Sequence, residues 1–404
     1  GNPGWVRNGQ TVTIPFTIDE PTAGLASTPT VTIAGRAAQV GGTLPDFTAT
    51  YEFTGTTVSQ GAIAYTIDAS DNAGNAATQV AGGTGIEYDR VAPTFTVGDP
   101  SVDSARNGAT VTYEVAYSTD AVVSLSPADV TATGASGAQA TVADVTGTGT
   151  SRTITLMAGS GDGNVTISLA ADTARDPAGN PTVAYGPSTA FAVDNTAPTV
   201  SIGSPSATFA NNGTDGTYTV TYTGASNVSL VAGDVQVNNS GSGATVTDVS
   251  GTGTTARTVT VTAGSGDGDV TIELPVGTAV DEAGNQAPAF GPSVGFVEDN
   301  TGPDTPSIVS IDDDSYFDSG GGEYYYRSAI NPNGVIFELS SVDSASGVAG
   351  YTTDPAGANP APAAAVELDA DGDIYAVDNV GNVSAGLSVL VNVDDTAPTL
   401  SLPA

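Results

Sequence analysis

This sequence contains no cysteine, no histidine and no lysine, and its eight basic residues are all arginine. Without cysteine it forms no disulfide framework and offers no thiolate to a metal or substrate. Without histidine it has neither a Ser–His–Asp triad nor an imidazole metal site. Without lysine it has no Schiff-base chemistry and no phosphate-binding P-loop lysine. These absences weigh against most enzyme classes, so we expect a protein that is not an enzyme.

Positive charge is scarce as well. The 404 residues include 44 acidic and 8 basic side chains, which gives a formal net charge of −36 at pH 7. Such a field repels nucleic-acid phosphates and anionic membrane surfaces, so the sequence predicts neither as a partner. No apolar run approaches the roughly 18 residues that a membrane-spanning helix needs. Hard cations such as Ca²⁺ are the natural partners of this surface.

What the sequence does contain is a tandem repeat. The triplet Ala-Gly-Asn occurs at 73–75, 178–180 and 283–285, each time 105 residues further on, and Val-Gly-Asn follows at 380–382. An acidic residue four positions before a proline is a second marker. It recurs at Asp89, Asp194, Asp299 and Asp394. Repetition at a fixed period indicates structural units in series.

Each repeat has the pattern of a β-sheet protein. Residues 109–117 and 217–222 alternate polar and apolar side chains with period two, and Gly, Asn, Asp, Ser and Pro clusters mark turns between such segments. About seven short strands in roughly 100 residues favour an immunoglobulin-like sandwich. The predicted fold class is all-β, a tandem array of four immunoglobulin-like antiparallel β-sandwiches.

The repeat markers also predict the domain boundaries. We expect a first domain that lacks its first strand, two regular domains, a divergent fourth domain, and a final linker with an orphan first strand. Their predicted ranges are 1–89, 90–194, 195–299, 300–394 and 395–404. The first four ranges are called repeats one to four below.

Two signatures carry a resemblance to a known family. Asp-x-Ala-Gly-Asn, as at 176–180, and Val-Asp-Asn-Thr-Ala-Pro-Thr at 193–199 resemble the bacterial immunoglobulin-like domains of large repetitive surface proteins and adhesins. The resemblance covers essentially the whole chain and is strongest in repeats two and three. It implies a bacterial extracellular or cell-surface location, domains strung together as stalks, and stiffening by bound Ca²⁺.

Strand order predicts where these signatures meet. In a seven-strand sandwich, Asp-x-Ala-Gly-Asn falls between the sixth and seventh strands, in the F–G loop, and the acidic linker directly precedes the first strand. The F–G loop of each domain should therefore meet the linker before it. Ca²⁺ accepts about six to eight oxygens from carboxylates, amides and carbonyls, so it would relieve the repulsion between acidic groups there.

The predicted Ca²⁺ ligands are the acidic and amide side chains of these linkers and loops. They are Asp71, Asn75, Asp89, Asp176, Asn180, Asp194, Asn195, Asp281, Asn285, Glu298, Asp299, Asn300, Asp378, Asn382, Asp394 and Asp395. The alternative interpretation is that these Asp and Asn side chains only close turns through hydrogen bonds to backbone N–H groups.

A second candidate metal set lies in the E–F loop of repeat four. Asp369, Asp371 and Asp373 have the Asp-x-Asp-x-Asp spacing of a Ca²⁺ loop, although no Glu completes it. The E–F loops of repeats two and three contain Gly-Asp-Gly at Asp162 and Asp267. That tripeptide is first of all a hairpin turn signal, so a turn is favoured there.

Five aromatic residues gather in repeat four, at 316, 317 and 324–326. One interpretation is a surface for a host or matrix glycan or protein. The other, which we favour, is that these residues fill a core or cover a strand edge. The first interpretation requires exposed tyrosines around Tyr324, and the second requires buried ones.

The two ends of the sequence fit one another. The intervals from Pro93 to Asn107 and from Pro198 to Asn212 are each 14 residues and contain a first strand. Repeat one has its equivalent asparagine at position 8, whereas a strand-like segment follows the last linker. Its residues are Thr399, Leu400, Ser401 and Leu402. We expect this segment either to continue into another repeat or to pair with the first domain of a neighbouring copy.

These patterns together predict a non-enzymatic extracellular rod or filament subunit that Ca²⁺ stiffens at its domain junctions. Its predicted partners are other copies of itself, head to tail, or adjacent repeats of a longer chain. Two alternatives stay open. One is an adhesin module that binds a glycan or protein through domain four, and the other is a subunit of a surface layer.

Overall fold

The computed structural model describes residues 4–311 and 316–401. The chain divides into two compact units, Gly1–Thr196 and Ala197–Ala404, and each is described by itself. The described residues form short β-strands and two 3₁₀ helices, Pro127–Asp129 and Ala232–Asp234. None of the helices in these ranges has the length and apolar character needed to cross a membrane. The predicted assembly residue Leu402 lies outside the described residues.

Alternating side chains explain why these segments are extended. Thr110–Tyr117 has the sequence TVTYEVAY, in which Val111, Tyr113 and Val115 are fully buried and Glu114 is exposed. A strand turns successive side chains to opposite faces, so an alternating sequence places one face on a core. Valine, threonine and tyrosine also fit the pleated surface of a sheet well.

The first compact unit contains strands β1 to β18. In repeat one they are β1 (Trp5–Val6), β2 (Thr11–Thr17), β3 (Thr30–Ile33), β4 (Arg36–Ala37), β5 (Gln39–Thr43), β6 (Asp46–Glu52), β7 (Gly61–Asp68) and β8 (Val80–Tyr88). In repeat two they are β9 (Phe95–Val97), β10 (Ser104–Ala105), β11 (Thr110–Tyr117), β12 (Val122–Val123), β13 (Val130–Gly134), β14 (Ala140–Thr146), β15 (Ser151–Ala158), β16 (Gly163–Leu169), β17 (Ala174–Arg175) and β18 (Phe191–Val193).

Repeat two shows the sandwich most fully. One sheet has the order β14-β15-β11-β9, the other has the order β10-β18-β16-β13, and β12 pairs with β17. In immunoglobulin lettering, with β10 as a second part of strand A, these sheets are D-E-B-A and A′-G-F-C. The predicted all-β, immunoglobulin-like fold class is therefore confirmed.

The second compact unit contains strands β19 to β36. In repeat three they are β19 (Thr199–Ile202), β20 (Phe209–Ala210), β21 (Asp215–Thr223), β22 (Asn227–Val228), β23 (Gln236–Asn239), β24 (Thr245–Ser250), β25 (Ala256–Thr262), β26 (Gly268–Glu273), β27 (Ala279–Val280) and β28 (Phe296–Glu298). In repeat four they are β29 (Ser307–Ile311), β30 (Tyr316–Asp318), β31 (Glu323–Tyr326), β32 (Val335–Ser340), β33 (Val348–Thr352), β34 (Ala365–Leu368), β35 (Gly372–Asp378) and β36 (Leu387–Val393).

The sheets of the second unit follow the same plan. Repeat three has the sheets β19-β21-β25-β24 and β20-β28-β26-β23, with β22 paired to β27. Repeat four is divergent, as its sequence suggests, and has the sheets β29-β32-β34 and β30-β31-β36-β35-β33. In both repeats the F–G loop lies between the strand lettered F (β26 or β35) and the last strand.

Four separate hydrophobic clusters fill the sandwiches, one in each repeat. Their large buried members include Phe53 and Tyr88, Tyr113 and Phe191, Tyr218 and Phe296, and Phe337. Each repeat therefore has a core of its own. Burying one side chain of this size contributes about 1.5–3 kcal/mol to stability. The predicted domain boundaries stay predictions, since each compact unit holds two of these cores.

Repeat one differs from the others at one sheet edge. Strands β9, β19 and β29 pair antiparallel with β11, β21 and β32. The strand of repeat one that corresponds to β11 is β2, and within the described residues it pairs only with β6. One edge of the sheet β2-β6-β5 therefore presents unpaired backbone groups.

Candidate metal site at the repeat junctions

The F–G turn is closed by its own aspartate and asparagine. In repeat four the Asp378 carboxylate accepts hydrogen bonds from the backbone N–H of Val380 at 2.9 Å and of Asn382 at 2.8 Å. It also accepts one from the Asn382 side-chain amide at 2.7 Å. Gly381 has φ +95°, in the left-handed region that glycine adopts without strain. The Asp and Asn of this motif therefore fix the loop locally.

The same turn recurs in the other repeats. The carboxylates of Asp71, Asp176 and Asp281 each accept hydrogen bonds from the backbone and side-chain N–H groups of the asparagine four residues later. The Asp71 turn is exposed, and the hydrogen bonds from Asn75 lower the pKa of the Asp71 carboxyl. The signature thus encodes a turn in every repeat.

The loop also contacts the linker before it, as the strand order predicts. The Asn382 side-chain amide donates to the backbone carbonyl oxygen of Asp299 at 2.8 Å, and Asn180 donates to that of Asp89 at 3.1 Å. Both contacts lie within a compact unit. The same rule predicts that the linker at Asp194 and Asn195 meets the F–G loop at Asp281 and Asn285; that contact would join the two units and stays a prediction.

Three carboxylates converge at the junction of repeats three and four. Oxygens of Asp299, Asp343 and Asp378 all lie within 4.8 Å of one another. Asp299 and Asp378 are only 1% and 2% exposed, and Asp343 is half-buried. Asp299 lies in the linker and Asp378 begins the F–G loop, and both were predicted. Asp343 lies in the B–C loop between β32 and β33 and was missed, although the topology places B–C loops at this same pole.

Backbone donors hold these three carboxylates in place. Asp299 accepts hydrogen bonds from the N–H groups of Thr301 at 3.2 Å and Ser346 at 3.0 Å. Asp343 accepts from Ala345 at 3.0 Å and Gly347 at 2.8 Å. The Ser346 hydroxyl, next to this group in sequence, is buried and has no hydrogen-bond partner among the described residues. The atoms of this group that could bind a metal ion are thus all oxygens.

The junction of repeats one and two is built differently. The Asp89 carboxylate accepts hydrogen bonds from the Gln60 side chain at 2.8 Å and from the Val91 N–H at 2.9 Å. Asp176 and Asn180 are 5% and 7% exposed and occupied by their own turn. In the described ranges no third acidic side chain joins Asp89 and Asp176 as Asp343 joins its partners.

Asn195 and Asn300 connect the linker to the domain that it leaves. The Asn195 side chain donates to the carbonyl oxygens of Gly159 and Gly161 and accepts from the Asn107 N–H. Asn300 makes the same bonds, at equal distances, to Gly264, Gly266 and Asn212. Each of these predicted ligands therefore ties the E–F loop of its repeat to the Asn-Gly turn that precedes strand β11 or β21.

The aspartates of the Gly-Asp-Gly turns are their partners. Asp162 accepts hydrogen bonds from the Asn195 N–H and the Thr196 hydroxyl, which lower the pKa of its carboxyl. Asp267 accepts from the Thr301 hydroxyl and the Asn300 N–H, with the same effect on its pKa. A carboxylate that accepts hydrogen bonds is stabilised in its charged form. These contacts join the E–F loop to the linker 33–34 residues later, and the strands on either side of the loop belong to different sheets, so they are not the contacts of the favoured hairpin turn.

The remaining predicted junction ligands lie apart from the three-acid group. Glu298 is fully buried, with one carboxylate oxygen 2.7 Å from the Gly264 N–H and the other without a hydrogen-bond partner in the described part of the chain. Asp394 accepts from the Thr396 N–H, and Asp395 accepts from the N–H and hydroxyl of Ser328. Asp194 likewise closes a turn with the Thr196 N–H.

The second candidate set does not converge. Asp371 accepts a hydrogen bond from the Val391 N–H at 2.8 Å, Asp373 accepts one from the Ser388 hydroxyl, and both side chains are exposed. The backbone carbonyl of Asp369 accepts from the Tyr326 hydroxyl at 3.1 Å. Within the described ranges these three carboxylates form no group with oxygens as close as those of the Asp299 cluster.

The aromatic residues of repeat four divide between core and surface. Tyr324 and Tyr326 are buried, and Tyr324 packs edge-on against Phe337 with ring centres 5.1 Å apart. The favoured core interpretation is therefore right for these two. Phe317 is 64% exposed, and the hydrogen bond from Tyr325 to Glu323 raises the pKa of the tyrosine.

A cleft lies beside the open edge of repeat one. Its volume is about 390 Å³, and its apolar lining includes Ile14, Phe16, Ile18, Tyr65 and Ile67. In repeat two the corresponding space holds Phe95 of strand β9, whose ring lies 5.2 Å from that of Tyr117. Of the predicted assembly segment, Thr399, Leu400 and Ser401 are described, and none is in a strand. Leu400 is 97% exposed.

No family model and no curated protein matches this chain. Solved structures that resemble it include the Escherichia coli adhesin FdeC, which is 18% identical and covers 73% of this chain and 94% of its own, with a TM-score of 0.33. Invasin, a bacterial integrin-binding protein, is 13% identical over 96% and 77% of the two chains, with a TM-score of 0.33. A 1.5-MDa bacterial ice-binding adhesin is 18% identical over 73% and 92%, with a TM-score of 0.37. At these values the likenesses carry no argument about function.

Proposed function

We propose that this chain is an extracellular structural rod or filament subunit of a bacterial surface, in which Ca²⁺ stiffens the junction between repeats three and four. The observation that carries the proposal is the convergence of Asp299, Asp343 and Asp378. One of these residues belongs to the linker and the other two belong to loops of repeat four. An ion bound to all three would tie the repeat to its linker and restrict bending.

Electrostatics supports a cation at this place. Two unit charges within 4.8 Å of one another repel by at least about 3.5 kcal/mol at an effective dielectric constant of about 20. Because Asp299 and Asp378 are almost fully buried, water screens them poorly. A divalent ion turns this mutual repulsion into attraction.

The chemistry of the donors favours Ca²⁺ over other metals. Ca²⁺ takes oxygen ligands in flexible geometry, whereas Mg²⁺ requires a nearly ideal octahedron. Structural Zn²⁺ sites are built from Cys and His, and this chain has neither. The three carboxylates supply such oxygens, and the buried Ser346 hydroxyl, whose own backbone N–H bonds to Asp299, is a further oxygen without a hydrogen-bond partner in the described ranges. We infer Ca²⁺ for this junction and not for that of repeats one and two, because in the described part of the chain no third acid joins Asp89 and Asp176 in such a group.

Turn closure is the competing explanation for these aspartates. Asp71 closes the same F–G turn without belonging to such a three-acid group in the described ranges, so the turn alone does not require three carboxylates to meet. The two roles predict opposite responses to loss of one charge. If the acids only close turns, removing a charge relieves repulsion under all conditions. If the acids bind Ca²⁺, removing a charge relieves repulsion only when the metal is absent, and it weakens binding when the metal is present.

The test compares the full chain with the variant Asp343→Asn, with Asp354→Asn as the matched control. Asp354 also closes a turn in repeat four, through the Ala356 N–H, but lies outside the group. Calorimetric titration should show a Ca²⁺ site in the wild type and in Asp354→Asn that is lost in Asp343→Asn. In EGTA, Asp343→Asn should unfold at the same temperature as the wild type or higher, and in Ca²⁺ at a lower one. Identical titrations of all three proteins would refute the metal site.

We propose further that copies join end to end by strand donation. In repeat two, Phe95 pairs with Tyr117 and Val97 with Val115. Counted from the Asn-Gly that precedes each strand, Tyr117 and Val115 correspond to Ile18 and Phe16, which line the open cleft. Counted from the linker proline, Phe95 corresponds to Leu400, and the exposure of Leu400 leaves it available to fill that space.

Deletion of residues 399–404 tests this joining. The full chain should form end-to-end filaments visible by electron microscopy at high concentration, and the deletion variant should stay single. A synthetic peptide of residues 396–404 should shorten the filaments by competing for the cleft, and a peptide with Leu400→Asp should not. Unchanged filaments from the deletion variant would exclude strand donation. Ordered two-dimensional arrays would instead indicate a surface layer.

A further inference from the structure

At two junctions inside the chain, a repeat receives the F–G loop of the next repeat through the same pair of contacts. The first contact is the hydrogen bond from the loop asparagine to the linker carbonyl, from Asn180 to Asp89 and from Asn382 to Asp299. It joins the tip of the incoming loop to the backbone that leaves the previous repeat.

The second contact comes from a side chain of the receiving repeat. The Arg7 side chain reaches the incoming loop at Gly179, where its Nε atom would lie 3.5 Å from an added Cβ. At the other junction the Asn211 amide donates to the carbonyl oxygen of Val380 at 2.8 Å. Arg7 and Asn211 occupy the same position, directly after the short strands β1 and β20 that pair parallel with the last strand of their repeat.

Repeat four presents the same receiving half. Its strand β31 pairs parallel with β36, and Arg327 follows β31 directly. The Asp394 N–H donates to the Tyr326 carbonyl at 2.9 Å, as the Asp89 N–H donates to Val6 at 2.9 Å. The backbone carbonyl of Asp394 therefore occupies the position at which the carbonyls of Asp89 and Asp299 accept a hydrogen bond from an asparagine.

A cavity of about 480 Å³ adjoins these groups. Its lining includes Phe317, Tyr325, Arg327, Ile330 and Asp394, and we call it the terminal pocket. Phe317 and Ile330 are 64% and 50% exposed. Apolar side chains beside an arginine offer both a contact surface and a charged donor to an incoming loop.

Repeat one presents the matching loop half. Residues 71–75 have the turn of residues 176–180, with the Asn75 side chain and N–H bonded to Asp71. This loop is largely exposed, whereas its counterpart is buried at a junction. In Asn180 the side-chain amide bonds both to its own aspartate and to a linker carbonyl. In Asn75 it bonds only to Asp71 among the described residues, so one N–H is available for a partner.

We propose that the terminal pocket receives the 71–75 loop of a second copy of this chain. The inference rests on the proposed end-to-end assembly and adds a second contact to it. In this arrangement Asn75 donates to the Asp394 carbonyl and Arg327 lies against Ala73 and Gly74. The occupant is the first repeat because its loop is an exposed copy of the turn that two internal junctions already bind, as Ala-Gly-Asn at 178–180 and as Val-Gly-Asn at 380–382. The strand-accepting cleft belongs to this same repeat.

Cysteine cross-linking tests the contact directly, since the natural chain has no cysteine. The double variant Ala73→Cys, Arg327→Cys should form a ladder of covalent multimers with a short bismaleimide. The pair Asn211→Cys, Val380→Cys has the equivalent positions of an internal junction and should cross-link within single chains. Ala73→Cys with Arg36→Cys is the control, because Arg36 lies outside the terminal pocket and should yield no ladder.

The deletion of residues 399–404 separates the two proposals. The loop contact is supported if the full chain forms filaments and the variant Ala73→Cys, Arg327→Cys forms a ladder of covalent multimers. If filaments form and the deletion abolishes them, but the first pair gives no ladder while the internal pair cross-links, the loop contact is wrong and strand donation stands. If the wild type forms no filaments and the variant Ala73→Cys, Arg327→Cys forms no ladder, both proposals are wrong. Circular dichroism on each variant confirms that it is folded.

Discussion

The side-chain amide of Asn382 donates one hydrogen bond to the Asp378 carboxylate in its own turn and another to the backbone carbonyl of Asp299 in the preceding linker. One residue therefore closes a local turn and joins its repeat to the linker before it. Asn180 has the same two bonds, to Asp176 and Asp89. The same side-chain amide thus closes the turn and forms the junction at the same time.

Replacing Asn382 should cost more stability than replacing Asn75, because only Asn382 also bonds to a linker among the described residues. Asn382→Ala removes both side-chain hydrogen bonds and leaves the buried Asp378 carboxylate with fewer donors, so we expect a loss of about 1–3 kcal/mol in the free energy of unfolding. Asn75→Ala removes only a bond within an exposed turn and should cost less than about 1 kcal/mol. Urea unfolding measures both values. Equal losses in the two variants would show that the linker contact adds nothing.

Calcium should stabilise the second compact unit. Extracellular Ca²⁺ modules bind with dissociation constants of about 10⁻⁴–10⁻³ M. At a free concentration of about 10 mM, binding to the folded state alone then adds roughly 1.4–2.7 kcal/mol to the free energy of unfolding. Differential scanning calorimetry should show an upward shift of one transition that EGTA reverses. A shift of the same size in Asp378→Asn would place the ion elsewhere.

Acid should weaken the bonds between the E–F loops and the linkers. The pKa values of Asp162 and Asp267 are lowered in the folded state from the ordinary 3.8. A group with a lowered folded-state pKa contributes stability above its unfolded pKa, and this contribution is lost as the pH falls through the folded-state value. The melting temperature should therefore fall more steeply below about pH 4 in the wild type than in the double variant Asp162→Asn, Asp267→Asn. Parallel pH profiles for the two proteins would contradict this assignment.

The buried carboxylate of Glu298 should reduce the stability of repeat three. Valine occupies the equivalent position in repeat two, at Val193, and is buried in that core. Glu298→Gln keeps an acceptor for the Gly264 N–H and removes a buried charge, so the variant should be more stable at pH 7 by about 1 kcal/mol or more. Glu52→Gln, on an exposed side chain, is the control and should change stability little. A clear loss of stability in Glu298→Gln would mean that the charge has a favourable partner.

Local and periodic features of this protein follow from its sequence. The period of 105 residues and the alternation in segments such as 109–117 predict repeated sandwiches, because a strand exposes every second side chain to the same face. The F–G turn is also local, since Asp378 and Asn382 are four residues apart and bond to each other. Strand order then predicts the meeting of this loop with the linker, which the structure shows at Asp299.

Only the tertiary structure decided which side chains converge. Asp343 joins Asp299 and Asp378 from a third loop whose position depends on how β32 and β33 pack, and no spacing in the sequence encodes that approach. In the same way Asn195 and Asn300, which look like metal ligands beside an aspartate, have their oxygens and amides bonded to distant turns. Sequence periodicity sets which face of a strand is buried. The distances between loops are set by the packing of whole sandwiches, and they determine whether carboxylates stand apart or meet.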